Sequence, residues 1–120
     1  GNLSAFLKGR KGKKLNQIQA YKTVRDLALA MNFLRNSNVI HRSLNPTCIL
    51  LTKSGSVKVG NFGSSRFCEP GTILKDGFSH KPQCEAFKYQ CPEFLNKVEY
   101  SHNSDVYSFA LVSYYVLTSV

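Results

Sequence analysis

Residues 105 to 118 run almost wholly apolar, after Ser101-His102-Asn103-Ser104, a stretch suited to a helix N-terminus. A helix apolar on all its faces is stable in water only when other elements cover every side, so the rest of the chain is expected to build that cover. The nearest candidate is amphipathic. Leu15, Ile18, Tyr21, Val24, Leu27, Ala28, Met31 and Leu34 recur at three- and four-residue steps over about five turns, and Asn36-Ser37-Asn38 supplies turn residues where the pattern stops. Leu3, Phe6 and Leu7 mark a shorter amphipathic piece over residues 2 to 8.

Between the helices the period changes. Val39-Ile40, Ile49-Leu50-Leu51 and Val57-Lys58-Val59 are short β-prone runs, and Lys53-Ser54-Gly55-Ser56 predicts a hairpin turn between the last two. Residues 61 to 93 are rich in Gly, Ser, Pro and Cys with no sustained period, and are expected to form one long irregular segment, a class of loop that is usually functional. This succession predicts an α+β fold, mainly helical with one small β-hairpin. A chain of 120 residues with 42% apolar residues carries enough material for a core.

Charge and cysteine content narrow the partners and the compartment. Sixteen Lys and Arg against seven Asp and Glu give a net charge of +9, which points to acidic partners. Five of those cations sit between Lys8 and Lys14, where a solvated turn is the default and contact with acidic lipid at 8–14 is the sharper alternative. Aromatic residues for base stacking are not interleaved with these charges, so nucleic acid is not an expected partner. The cysteines at 48, 68, 84 and 91 form no Cys-x-x-Cys pair, and His80, Cys84 and Cys91 lack the close spacing of a metal site; no metal is expected. A reducing, cytoplasmic setting suits that pattern, or the cytoplasmic portion of a larger protein. No run reaches the roughly 18 apolar residues of a membrane span, and the first residues lack a signal peptide's apolar core. Asn2-Leu3-Ser4 is a glycosylation triplet, relevant only if the chain is secreted.

The residues that bear on chemistry occur in a fixed order: His41-Arg42-Ser43-Leu44-Asn45-Pro46-Thr47-Cys48, the hairpin, Asn61-Phe62-Gly63, the long segment, Cys91-Pro92-Glu93, and Asp105 at the head of the apolar helix. This succession resembles the C-terminal lobe of the protein kinase superfamily, which carries H-R-D-L-x-x-x-N, D-F-G and A-P-E in the same order. The resemblance spans essentially the whole chain, and Pro46 fits the serine/threonine and tyrosine-kinase-like pattern better than that of true tyrosine kinases. It implies an incomplete domain over residues 1–120, without an N-lobe, beginning just past the hinge and stopping inside the central helix, with 61–93 as an activation-type segment. Leu111, Val112, Tyr115 and Val116 would then lack part of their packing.

The departures from the family pattern carry the functional expectation. The resemblance places Ser43 where the family has the catalytic Asp, and a neutral hydroxyl is no general base near pH 7. Asn45 stands at the loop Lys, Cys48 at the Asn that binds the second magnesium, and Asn61 at the Asp of D-F-G. A thiol is a poor ligand for a hard ion, and an amide brings no charge to offset Mg²⁺. His41 and Phe62 resemble the lower members of the family's hydrophobic column, Asp105 the residue that fixes the catalytic-loop backbone, and Arg42 the clamp for a phosphorylated loop, with Ser64, Ser65, Thr72 and Ser79 as possible acceptors or plain solvent-exposed hydroxyls. Gly63, Pro92 and Glu93 are retained motif positions. Leu50 resembles the residue beneath the adenine ring, with the alternative that Ile49, Leu50 and Leu51 are all core. The expectation is a pseudokinase that binds or scaffolds a protein partner, with no cofactor of its own and ATP without Mg²⁺ conceivable only in a longer parent. The alternatives are an active or weakly active protein kinase and a partial gene product without function.

Overall fold

The computed structural model describes residues 1–9, 15–75, 84–97 and 99–119. Among the described residues there are five α-helices: α1 (Leu3–Lys8), α2 (Gln17–Asn36), α3 (Cys84–Phe87), α4 (Pro92–Lys97) and α5 (His102–Leu117). Four short strands among the same residues, β1 (Val39–Ile40), β2 (Ile49–Leu51), β3 (Val57–Val59) and β4 (Arg66–Phe67), form two separate antiparallel pairs. The architecture is α+β and mainly helical.

Local chemistry sets the ends of α2. The Asn16 side chain accepts from the Gln19 N–H at 2.8 Å while the Asn16 N–H donates to Gln19 Oε1 at 3.2 Å, a reciprocal cap that satisfies two otherwise orphaned donors. At the other end Asn38 takes a left-handed conformation, φ 58°, which asparagine tolerates better than most residues. The predicted hairpin is present, with Ile49 opposite Val59 and Leu51 opposite Val57. Its turn needs Gly55, at φ +82°, a conformation that carries a steric penalty for side chains with a Cβ.

The core lies between α2 and α5, closed by α1 and the hairpin. Leu3, Leu15, Ala20, Leu27, Leu44, Ile49, Val112 and Val116 form its buried cluster. Burying each of the larger aliphatic side chains contributes about 1.5–3 kcal/mol.

The apolar stripe of α2 is rotated from the predicted one. Leu27 and Leu34 are buried and Val24 and Met31 half-buried, but Ile18 is 80% exposed and Tyr21 and Ala28 also face out; Ala20 and Thr23 take the inner positions instead. Leu15 is buried ahead of the helix, which starts two residues later. The helix carries apolar residues on more than one face, so periodicity alone matched two stripes.

Nor is α5 enclosed on every side. It begins at His102, earlier than the apolar run, and buries Ser104, Asp105, Ser108, Val112, Ser113 and Val116, while Val106, Tyr107, Tyr114 and Leu117 are exposed. Its inner face is partly polar because it meets the polar network described below. Of the four residues expected to lack packing, Val112 and Val116 are fully buried and Leu111 and Tyr115 half-buried.

In the segment 61–93 the described residues are also more ordered than its composition suggested. It holds a 3₁₀ turn at Phe62–Ser64, β4 paired with β1 (Val39 opposite Phe67, Ile40 opposite Arg66), a bridge from Leu74 to Tyr100, and the helices α3 and α4. Strands of two residues are too short to leave a periodic signal.

Candidate functional site

His41 and Arg42 leave β1 and are caught by one carboxylate. Asp105, in the first turn of α5, accepts from the His41 N–H at 2.7 Å and from the Arg42 N–H at 3.1 Å. Two consecutive backbone donors held by one buried anion fix the chain direction, and they hold Arg42 at φ 70°, a left-handed conformation that costs a non-glycine residue about 1–2 kcal/mol. Burial pushes the Asp105 carboxyl above the usual carboxylate range, and the two N–H donors pull it back down.

The His41 ring is fully buried and fixed at both nitrogens. Its Nδ1 lies 3.2 Å from the Ser43 N–H, which must donate, so Nε2 carries the proton and donates to the Gly60 carbonyl at 2.8 Å. The Phe62 ring lies 5.2 Å away, tilted at 58°, an arrangement favourable for aromatic pairs. His41 thereby ties the loop at 41–48 to the segment at 60–62.

Arg42 is buried among partners. Its Nε donates to the Ser64 carbonyl at 2.6 Å and its guanidinium carbon sits 5.4 Å from the centre of the Tyr100 ring. The Arg42 carbonyl accepts from Gln90 Nε2 and from the Tyr100 hydroxyl, both at 3.1 Å, and Tyr100 also donates to Gln90 Oε1. Burial pushes the Tyr100 phenol far above its ordinary range. Arg42 thus reaches the loop segment, through a backbone carbonyl. The four candidate acceptors differ: Thr72 is exposed, Ser64 and Ser65 are half-buried with Ser65 Oγ enclosed, and Ser79 lies outside the described residues. Plain solvent exposure therefore does not describe Ser64 and Ser65.

The fold brings the four departure positions together, Asn45, Cys48 and Asn61 by their side chains and Ser43 through its backbone carbonyl. Cys48 is buried; its Sγ donates to the Ser43 carbonyl at 3.2 Å and accepts from Asn45 Nδ2 at 3.3 Å and Asn61 Nδ2 at 3.8 Å. Burial pushes the Cys48 thiol up, so it stays protonated at neutral pH. Asn61 is exposed and left-handed, φ 57°, ψ 61°. Asn45 is turned into the loop: Oδ1 accepts from the Thr47 N–H and hydroxyl at 3.0 and 2.6 Å, Nδ2 donates to the Ser43 carbonyl at 2.7 Å, and it caps the 3₁₀ turn at Pro46–Cys48. The half-buried Ser43 and the exposed Asn61 are the polar groups this cluster presents outward.

Leu50, in the middle of β2, is 46% exposed while Ile49 is buried and Leu51 half-buried, so the three are not all core. Gly60 lies against it: a Cβ there would sit 3.6 Å from Leu50 Cδ1. Pro92 opens α4 at its first position, where its missing N–H costs nothing, and Glu93 and Gly63 are exposed. Asn2 caps α1 by accepting from the Ala5 N–H at 2.8 Å. Of the basic stretch, Lys8 ends α1 and residues 10–14 lie outside the described residues, as does His80 of the metal alternative. Among the described residues no group of three His, Cys, Asp or Glu could hold a metal, and no helix is long and apolar enough to cross a membrane. Sequence reasoning missed Gln90, Tyr100 and the carbonyls of Gly60 and Ser64; the carbonyls leave no trace in residue identity.

The family described as protein tyrosine and serine/threonine kinase matches the chain over residues 1–120. The dual specificity protein kinase shkE of Dictyostelium discoideum is 38% identical over 94 residues, 78% of this chain and 13% of that protein. The serine/threonine-protein kinase atg1 of the same organism is 31% identical over 120 residues, 98% of this chain and 17% of that protein. Tyrosine-protein kinase Fer of Rattus norvegicus is 34% identical over 113 residues, 93% of this chain and 13% of that protein. The chain spans less than a fifth of the length of each of these relatives.

Proposed function

The chain belongs to the protein kinase family, and we propose that it is the C-lobe part of a pseudokinase, a module that engages another protein in kinase signalling without transferring phosphate. One observation carries this reading: Ser43, Asn45, Cys48 and Asn61, brought to one loop cluster, include no carboxylate and no ammonium, and the Cys48 thiol is buried and protonated. Phosphoryl transfer depends on positioning and on charge stabilisation, with a base for the hydroxyl and ligands for magnesium. Ser43 is no base at neutral pH. Cys48 brings no hard oxygen to Mg²⁺, and Asn61 brings an amide oxygen without the carboxylate charge that offsets the ion. No step is therefore routed through a metal; an adenine contact at the exposed Leu50 would be metal-independent. The scaffold around the cluster supports a folded surface for a protein partner, in the cytoplasm or in the cytoplasmic part of a larger protein.

A phosphotransfer assay of the protein with Mg²⁺ and with Mn²⁺ tests the proposal. The expected result is incorporation no higher than background. Turnover well above background that disappears in Asn61→Ala would overturn it. An active kinase is the competing reading, favoured by relatives that are themselves described as kinases, and it predicts that second result.

A further inference from the structure

Charge is distributed unevenly along the chain. Twelve of the sixteen Lys and Arg lie in residues 1–68, which contain a single acidic residue, Asp26. That carboxylate is already engaged by Arg25 at 3.1 Å. The positive excess belongs to the part of the sequence that contains α1, α2 and the hairpin.

On that side lies a concavity of about 320 Å³ between α1, the first half of α2 and the hairpin turn. Leu3, Phe6, Leu15 and Leu51 give it apolar walls, and Lys22 and Lys53 give it charge; among the described residues no acidic one lines it. Lys22 reaches the turn, its Nζ standing 3.8 Å from where a Cβ of Gly55 would be. Among the described residues neither Lys22 nor Lys53 makes an ion pair or a side-chain hydrogen bond. Two unpaired ammonium groups beside an apolar hollow are complementary to a ligand with carboxylates flanking aliphatic side chains.

We propose that this hollow docks an acidic peptide segment of a partner protein, with aliphatic side chains seated against Phe6 and Leu51, over a floor made by the buried Leu3 and Leu15, and carboxylates on Lys22 and Lys53. Its concavity and apolar walls favour a peptide over the flat headgroup layer of a membrane. The hollow shares no residue with the cluster at Ser43, Cys48 and Asn61, so the inference stands whether or not the protein transfers phosphate.

The test is fluorescence anisotropy with a labelled peptide carrying leucines among glutamates, titrated with the 120-residue chain. Saturable binding is expected, weakened about tenfold by the double variant Lys22→Glu, Lys53→Glu, weakened also by Phe6→Ala, and weakened when the peptide leucines are replaced by serine. Circular dichroism checks that the variants fold. Amide shifts of the unmodified protein on adding peptide, centred on Leu15, Leu51 and Gly55, provide a readout that needs no variant. The proposal is overturned if the double variant binds as well as the parent, if the leucine-free peptide binds equally, if the shifts centre elsewhere, or if phosphatidylserine vesicles or a single-stranded oligonucleotide bind while the peptide does not.

Discussion

Two clusters share the eight residues from His41 to Cys48 and have opposite characters. The first, His41 and Arg42 with Asp105, Tyr100 and Gln90, is buried, polar and closely hydrogen-bonded. The second, Ser43, Asn45 and Cys48 with Asn61, is neutral, and its hydrogen bonds run mostly to itself and to the loop backbone. The difference separates what holds the loop from what chemistry at the loop requires. A buried backbone N–H needs an acceptor whatever the protein does, so the loss of Asp105 would be felt as unfolding. The charges that bind metal and accept a proton serve no such structural purpose, and the loop closes without them.

The largest expected effect is on stability. Asp105→Ala leaves two buried N–H groups without their acceptor and should cost about 3 kcal/mol in urea unfolding, with Asp105→Asn costing less because one oxygen remains. Ser43→Ala, at a side chain with no hydrogen-bond partner among the described residues, should stay within about 0.5 kcal/mol. Equal costs at the two positions would break the comparison. Phe62→Ala should cost about 1 kcal/mol through its contact with His41. At Asn61 the backbone matters more than the amide: Asn61→Ala should cost about 1 kcal/mol and Asn61→Gly almost nothing, since the left-handed conformation suits glycine.

Alkaline pH sharpens the same contrast. Burial raises the Tyr100 phenol and the Cys48, Cys68 and Cys91 thiols in the folded chain. The unfolded chain therefore loses these protons first, and the stability they contribute is full below their ordinary values. It should decline as pH rises through about 8.5 for the thiols and about 10 for the phenol. Urea midpoints across that range should fall, and Tyr100→Phe should remove the upper part of the slope. The smallest effect is kinetic: iodoacetamide should modify Cys48 far more slowly in the native protein than in urea at pH 7.5, because the reactive thiolate is scarce and enclosed.

How much of this was legible in the sequence depends on the length of each signal. The ordered motifs around His41, Asn61, Pro92 and Asp105 identified the family, and Gly55 marked the hairpin, because both rest on residue types at fixed spacing. The inner face of α2 was only half legible: Ile18 and Tyr21 keep the same spacing as Leu27 and Leu34 yet point to solvent. In α5 an apolar composition concealed a polar inner edge at Ser104, Asp105 and Ser108, needed where the helix meets the loop at His41 and the Tyr89 carbonyl. The partners that His41 and Arg42 find in the segment after the hairpin were not legible, since Gly60 and Ser64 contribute through backbone carbonyls that any residue carries.

The central claim is that the loop cluster keeps its scaffold while lacking the ligands that would hold a metal with nucleotide. Thermal unfolding with ATP in Mg²⁺ and again in EDTA addresses it most directly. The account predicts the same melting temperature in both conditions; a stabilisation by ATP that requires Mg²⁺ and vanishes in EDTA would contradict it.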